Sequence, residues 1–265
     1  MDNKFFGRRI ELIFEEKTIK YPGLEIEFEI DFSDTDEGNA GFIRVYNLAK
    51  NTVEKLNKGK YFKLKAGYKD YKGVILPGVI EKARTEWQGV DKVTTLIVGD
   101  ETEKWLQSTI NRTWKSGKKA SEIAPDIVEA TGLEIGEVDI VNDITYEKGK
   151  TFSTTCREAL KEIATDTNTK LHVSRGRVFL RPPQKSENQA ILLNSKSGLI
   201  ASPEIGEDEE DEEFYRVKSL LNYKISTDSL LRIESQTVEA DFRVREGKHI
   251  SDGDDFATEV EVEKI

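Results

Sequence analysis

The sequence is poor in the residues that carry chemistry. Among 265 residues there is one cysteine, Cys156, one methionine and only two histidines, His172 and His249. A single cysteine excludes an internal disulfide. The fold must therefore rest on its cores, and a chain of this length can bury them in two or three domains without staples. Assembly in a reducing cytoplasm is expected. Long apolar runs are also missing, and the opening stretch Met1-Asp2-Asn3-Lys4-Phe5-Phe6-Gly7-Arg8-Arg9 has no signal-peptide core, so a soluble protein without membrane contact is expected. Positive charge is in deficit: 40 basic against 50 acidic residues give −10, which disfavours adhesion to nucleic acid or anionic lipid. No glycine-rich stretch leads into a helix with the lysine of a phosphate-binding loop.

What is present is strand-like alternation. Ile10, Leu12 and Phe14 share one face, and Leu24-Glu25-Ile26-Glu27-Phe28-Glu29-Ile30-Asp31 keeps a period of two over eight residues. Further strands are expected over 41–46, 61–68, 74–84 and 93–98, separated by turn-rich stretches. Leu48, Val53 and Leu56 have helical spacing and the segment closes on Gly59, so one short helix interrupts them. Six or seven strands in a hundred residues point to a barrel, with a sandwich as the alternative.

The pattern changes after Gly99. Ile123, Ile127 and Val128 predict a helix over 119–131 capped by Gly132, with Pro125 kinking it or delaying its start. A second helix is expected from Thr155, whose hydroxyl forms a capping box with Glu158. Residues 171–174 and 177–180 read as a hairpin through Arg175-Gly176, and Arg181-Pro182-Pro183 marks a boundary. Strands return over 214–221, 230–235, 238–245 and 257–263. The expected fold class is mainly β with an α/β insert: two small β-barrel domains at 1–100 and 186–265, flanking an α+β domain at 101–185.

Each candidate for chemistry has a plainer structural alternative. Cys156 lies in the first turn of the second helix, where the dipole favours a thiolate, and His172 is its only nearby base in sequence. No glycine-rich elbow accompanies them, and a lone cysteine is more simply a small buried hydrophobe. Asp252-Gly253-Asp254-Asp255 clusters carboxylates without calcium-loop spacing, so a turn is the simpler account. Glu207-Asp208-Glu209-Glu210-Asp211-Glu212-Glu213 is a self-repelling run suited to a solvated loop. Tyr61, Phe62, Tyr68 and Tyr71 among lysines could stack single-stranded bases, but alternation makes them core on one side. No catalytic, cofactor-binding or metal-binding residue is assigned, no cofactor is expected, and an enzyme is not the expected class.

The C-terminal third carries Gly198-Leu199-Ile200-Ala201-Ser202-Pro203, then Val217-Lys218-Ser219-Leu220-Leu221-Asn222, then Phe242-Arg243-Val244-Arg245-Glu246-Gly247-Lys248-His249-Ile250-Ser251-Asp252. In this order the three segments resemble the closing domain of phage baseplate hub proteins, and Gly41-Phe42-Ile43-Arg44-Val45-Tyr46-Asn47-Leu48 with Ala66-Gly67-Tyr68 is similar to the family's N-terminal part. The motif positions are Gly198, Pro203, Ser219, Leu220, Leu221, Asn222, Gly247, His249 and Asp252. The turn Ser226-Thr227-Asp228-Ser229 departs from the family, which often has Gly-Asp there.

The resemblance implies a structural subunit, with barrels like those of tail-tube subunits, at the distal end of a phage or prophage tail. Three copies would present six barrels, matching a sixfold tube to a threefold spike. It further implies a homotrimer in the virion tail or baseplate, assembled in the bacterial cytoplasm. Its partners would be a tail-tube or distal-tail protein, a tape-measure protein and a spike, and DNA would pass only transiently through an acid-lined channel. Larger hubs carry lytic domains; here the sequence ends at Ile265 on the last strand, so lysis is expected of another protein. The alternatives are a tail-tube or distal-tail structural protein and a cell-wall carbohydrate-binding module.

Overall fold

A computed structural model describes residues 5–35, 38–100, 103–186, 189–207 and 213–265. Contacts divide the chain into two compact units: Met1–Ser33, Asn39–Asp100 and Ser186–Ile265 form the first, and Asp34–Gly38 with Glu101–Lys185 the second.

The first unit is built on one sheet. Its N-terminal part supplies β1 (Arg8–Phe14), β2 (Lys17–Tyr21), β3 (Ile26–Phe32), β4 (Ala40–Tyr46), the one-turn helix α1 (Lys50–Val53), β5 (Tyr61–Tyr68), β6 (Tyr71–Gln88) and β7 (Asp91–Gly99). The alternation over 24–31 becomes β3, with Ile26, Phe28, Ile30 and Phe32 buried and Glu27, Glu29 and Asp31 turned away. The helix expected around Leu48 and Leu56 is a single turn, although both leucines are buried. Strand β2 is not legible in the sequence, because only Ile19 of its five residues is buried.

The second unit begins with α2 (Glu103–Gln107), β8 (Thr109–Trp114), β9 (Lys118–Lys119) and α3 (Ala120–Thr131). It continues through β10 (Glu134–Val138), β11 (Thr145–Tyr146), β12 (Lys150–Thr155), α4 (Cys156–Asp166), β13 (Lys170–Ser174) and β14 (Arg177–Arg181). Helix α3 ends on Gly132 at φ 72°, where its N–H reaches the Glu129 carbonyl. Pro125 lies inside the helix and does not delay its start. The helix begins at Ala120 because Asp143 accepts both the Ser121 N–H at 2.9 Å and its hydroxyl at 2.8 Å, so the first turn is anchored. The capping box of α4 forms as expected: Thr155 Oγ1 accepts from Glu158 N, and the Glu158 carboxylate accepts from Thr155 N. Strands β13 and β14 make the expected hairpin, with Arg175 and Gly176 both at positive φ, and β10 joins β14 in parallel. The core gathers Trp105, Trp114, Ile123, Ile127, Leu160 and Ile163.

Beyond 185 the chain returns to the first unit as β15 (Ile191–Leu193), β16 (Glu204–Glu207), β17 (Glu213–Leu220), β18 (Leu230–Glu234), β19 (Glu239–Ser251) and β20 (Phe256–Lys264). The sheet order is β16-β17-β20-β19-β3-β4-β7-β6-β5-β1-β2, with β18 branching onto β19 and β15 onto β18. The two terminal segments therefore share one sheet through the antiparallel pair β3–β19, from Phe32–Gly247 to Phe28–Ser251. They keep two hydrophobic cores. One gathers Ile10, Phe28, Ile43, Phe62, Leu64 and Leu96; the other Phe32, Val217, Leu231, Phe242, Val244 and Val262. At about 1.5–3 kcal/mol for each large side chain withdrawn from water, these two clusters supply most of the unit's favourable energy.

Candidate functional site

Strand β19 runs past the expected 238–245 to Ser251. A bulge between Val244 and Glu246 inserts Arg245 as an extra residue opposite β20. That residue shifts the alternation by one. Val244 faces inward before the bulge, and Gly247, His249 and Ser251 take the inner face after it.

The motif residue His249 then stands in a row that crosses the sheet. Ser219 on β17 is opposite Thr258 on β20, Thr258 is opposite His249, and His249 is opposite Ile30 on β3. Their relative exposures are 1%, 0%, 1% and 0%. The next row inward to the C-terminal core is Val217, Val260, Gly247 and Phe32. The row on the other side holds Phe256, Ser251 and Phe28. A buried polar row thus lies between two apolar ones, where the cores meet.

Hydrogen bonds hold this row together, as buried polar groups require. Thr258 Oγ1 accepts from Asn222 N at 3.0 Å and lies 2.9 Å from His249 Nδ1, the donor there being set by the imidazole tautomer. Ser219 Oγ donates to the Thr258 carbonyl, and Leu221 N to the Phe256 carbonyl at 3.1 Å. Asn222 Oδ1 accepts from the Tyr71 hydroxyl of β6 at 2.9 Å. Tyr223 completes the joint: its ring lies 5.0 Å from that of Tyr71 and covers Gly73 so closely that an added Cβ there would sit 2.2 Å from it. The segment 219–223 therefore docks the C-terminal part onto the N-terminal one. Phe32 packs on the His249 ring at 5.0 Å. Burial raises the Tyr71 hydroxyl above its usual pKa and pushes the Tyr68 hydroxyl up to about 12, the latter opposed by Arg8.

The remaining motif positions are spread around this joint. Gly198, at φ +106°, gives its carbonyl to Leu220 N at 2.7 Å, and a Cβ there would meet Phe5 and Leu220 at 3.3 and 3.4 Å. Pro203 is buried just before β16. Asp252 is exposed in the β19–β20 turn, where Oδ1 accepts from Asp255 N. The structure thus brings Ser219, Leu220, Leu221, Asn222 and His249 together, with Gly247 beside them and Gly198 bonded to Leu220, and leaves Pro203 and Asp252 apart. The sequence pointed to neither Thr258 nor Tyr71 as members of the joint. A threonine in the apolar phase of β20 was the available signal.

The departing turn at 226–229 is buried, with Asp228 at φ 64°. Asp228 meets Arg243 at 2.6 Å, both side chains 3% exposed, and Arg243 Nε meets Glu263 at 2.6 Å. Asp228 N donates to the Val244 carbonyl and Val244 N to that of Ser229, so the turn is locked onto β19.

Cys156 and the 252–255 turn take the places that their structural alternatives gave them. Cys156 is fully buried among Trp105, Leu160 and Ile163, its N–H bound to the Ser108 carbonyl. His172 is buried on β13 and stacks on Phe179 at 4.7 Å. In the 252–255 turn Asp255 pairs with Lys218 at 2.7 Å. Among the described residues no group of three or more His, Cys, Asp or Glu side chains is placed to hold a metal. Phe62 and Tyr68 are core and Tyr61 is exposed, so the aromatics do not share a platform. Glu207 and Glu213 are backbone register partners of β16 and β17, and residues 208–212 lie outside the described residues. A cleft of about 460 Å³ is lined by Phe5, Arg8, Tyr68, Leu220, Asp254 and Phe256, with Arg8 donating to the Asp254 carbonyl.

A mainly β chain with an α/β insert, two cores on one sheet and a polar joint between them has the fold of phage and prophage tail proteins. The prophage MuSo2 43 kDa tail protein from Shewanella oneidensis superposes with a TM-score of 0.70 at 10% identity, over 97% of both chains. The tail protein from Neisseria meningitidis MC58 gives 0.71 at 10% identity, over 97% of this chain and 96% of that one. The E. coli c3393 protein, a component of the type VI secretion system with structural similarity to the T4 bacteriophage tail proteins gp27 and gp5, gives 0.67 at 6% identity, over 96% and 76%. No family model matches the sequence, and no curated protein does.

Proposed function

We propose that the chain is a non-catalytic hub subunit at the distal end of a phage or prophage tail, where three copies adapt a sixfold tube to a threefold spike. The observation that carries this is the pair of hydrophobic cores on one sheet, locked together by the Ser219–Thr258–His249 row and the 219–223 segment. An adaptor must present two barrel-like surfaces in fixed relation, and a polar row with bonded members fixes that relation better than sliding apolar packing. On this reading the terminal segments 1–100 and 186–265 act as two barrel domains and 101–185 as an insert. The fold likeness over nearly the whole of two tail proteins supports it.

Homotrimerisation, contacts with tail-tube, distal-tail, tape-measure and spike proteins, and assembly in the bacterial cytoplasm follow from this role. The insert separates it from a plain tube subunit, which needs one barrel. Particle images and mass analysis of purified tails test the proposal: three copies in a ring at the tail tip are expected. Copies repeated along the tube would give the tail-tube alternative, and a chain that never enters tails would overturn both.

A further inference from the structure

The sheet leaves two backbone edges open. Strand β5 pairs with β6 only from Tyr71 to Val79, so among the described residues the outer edge of β6 from Glu81 to Gln88 has no strand beside it. At the far end of the sheet, β16 pairs with β17 alone. Open edges invite pairing with another chain, and here β6 offers residues 81–88 and β16 the four residues Glu204–Glu207.

Both edges also expose apolar side chains on the face that elsewhere covers core. On β6, Ala83 lies opposite the buried Leu96 and Thr85 opposite the buried Thr94, yet Ala83 is exposed and Trp87, two positions beyond Thr85, is 72% exposed. On β16, Ile205 lies in the row of Tyr215 and the buried Val262 and is 62% exposed. The opposite faces carry complementary charge. Lys82 and Arg84 alternate with Ala83 on β6, with Arg84 also 2.9 Å from Glu86 on the same face, and Glu204 precedes Ile205 on β16.

We propose that the β6 edge, 81–88, of one copy pairs with the β16 edge of the next, placing Ile205 against Ala83 and Trp87 and Glu204 beside Lys82 and Arg84. Because the two edges differ, the contact is head-to-tail, which gives a ring when the rotation between copies closes, as the hub role requires. This deepens the hub proposal by naming the surface through which its copies meet.

Cysteine pairing tests it, since the native Cys156 is fully buried. The full chain carrying Ala83→Cys and Ile205→Cys is expected to form reducible covalent oligomers under mild oxidation, whereas neither single variant does. Arg84→Glu is expected to weaken self-association about tenfold, and adding Glu204→Arg to restore it. Light scattering that shows an intact oligomer without cross-linking of the double-cysteine variant would overturn the surface while leaving the trimer standing. Efficient cross-linking by either single variant would also overturn it, as would a strictly monomeric parent up to about 100 µM. The place of the chain in tails is judged separately by the particle images.

Discussion

Removing the Asp228 charge is the sharpest test of how the C-terminal core is specified. Asp228 occupies the left-handed region at φ 64°, which asparagine tolerates, so Asp228→Asn keeps the turn and removes only the charge. Among the described residues, Arg243 then keeps the Glu263 carboxylate, which is 30% exposed. A hydrogen bond to a charged group contributes about 1.5–3 kcal/mol, and a buried ion pair that loses one partner costs about 3–5 kcal/mol, so about 2–3 kcal/mol is expected for Asn and about 3–5 kcal/mol for Ala. For a cooperative unit of about 175 residues the entropy of unfolding is about 0.37 kcal/mol/K, so the Asn variant should lower Tm by about 5–8 °C. Thermal melting by circular dichroism and urea titration measure this; the urea midpoint should fall at an unchanged slope. An Asn variant within about 0.5 kcal/mol of the parent would refute the reasoning, because it would mean that the pair neither locks the turn nor compensates the buried guanidinium.

Other expectations follow from the joint. Gly247→Ala would set a Cβ 2.4 Å from the Glu259 carbonyl and 2.6 Å from Val260, so a loss of at least about 1–3 kcal/mol is expected in urea titration. Tyr68 is folded with its pKa raised from 10 to about 12, so the folded state holds a proton that the unfolded state releases. Its contribution is complete below about pH 10 and is lost as pH rises to about 12. Tyr68→Phe should remove roughly 2–3 kcal/mol of alkaline destabilisation in that window, read from urea midpoints across the pH range.

Local rules settled the elements whose cause is local. The flawless alternation over 24–31 makes β3, Thr155 and Glu158 cap α4, and Gly132 ends α3, because each depends on side chains within one turn or one pleat. Cysteine and histidine are few by composition, and Cys156 and His172 sit in packed surroundings. The motif residues could be named from sequence, but not what they do together. Joining β3 to β19 couples residues more than two hundred positions apart, and no local pattern records such a pairing. The phase that turns His249 inward depends on one extra residue at Arg245, which alternation misreads as the end of a strand. Thr258 acquires its role only when β17, β19 and β20 lie side by side. The buried pair of Asp228 and Arg243 depends in the same way on a turn folding back onto β19. Sequence determined the class of elements. Tertiary structure alone decided the register that sets a polar row between two cores, because register is an agreement between distant strands.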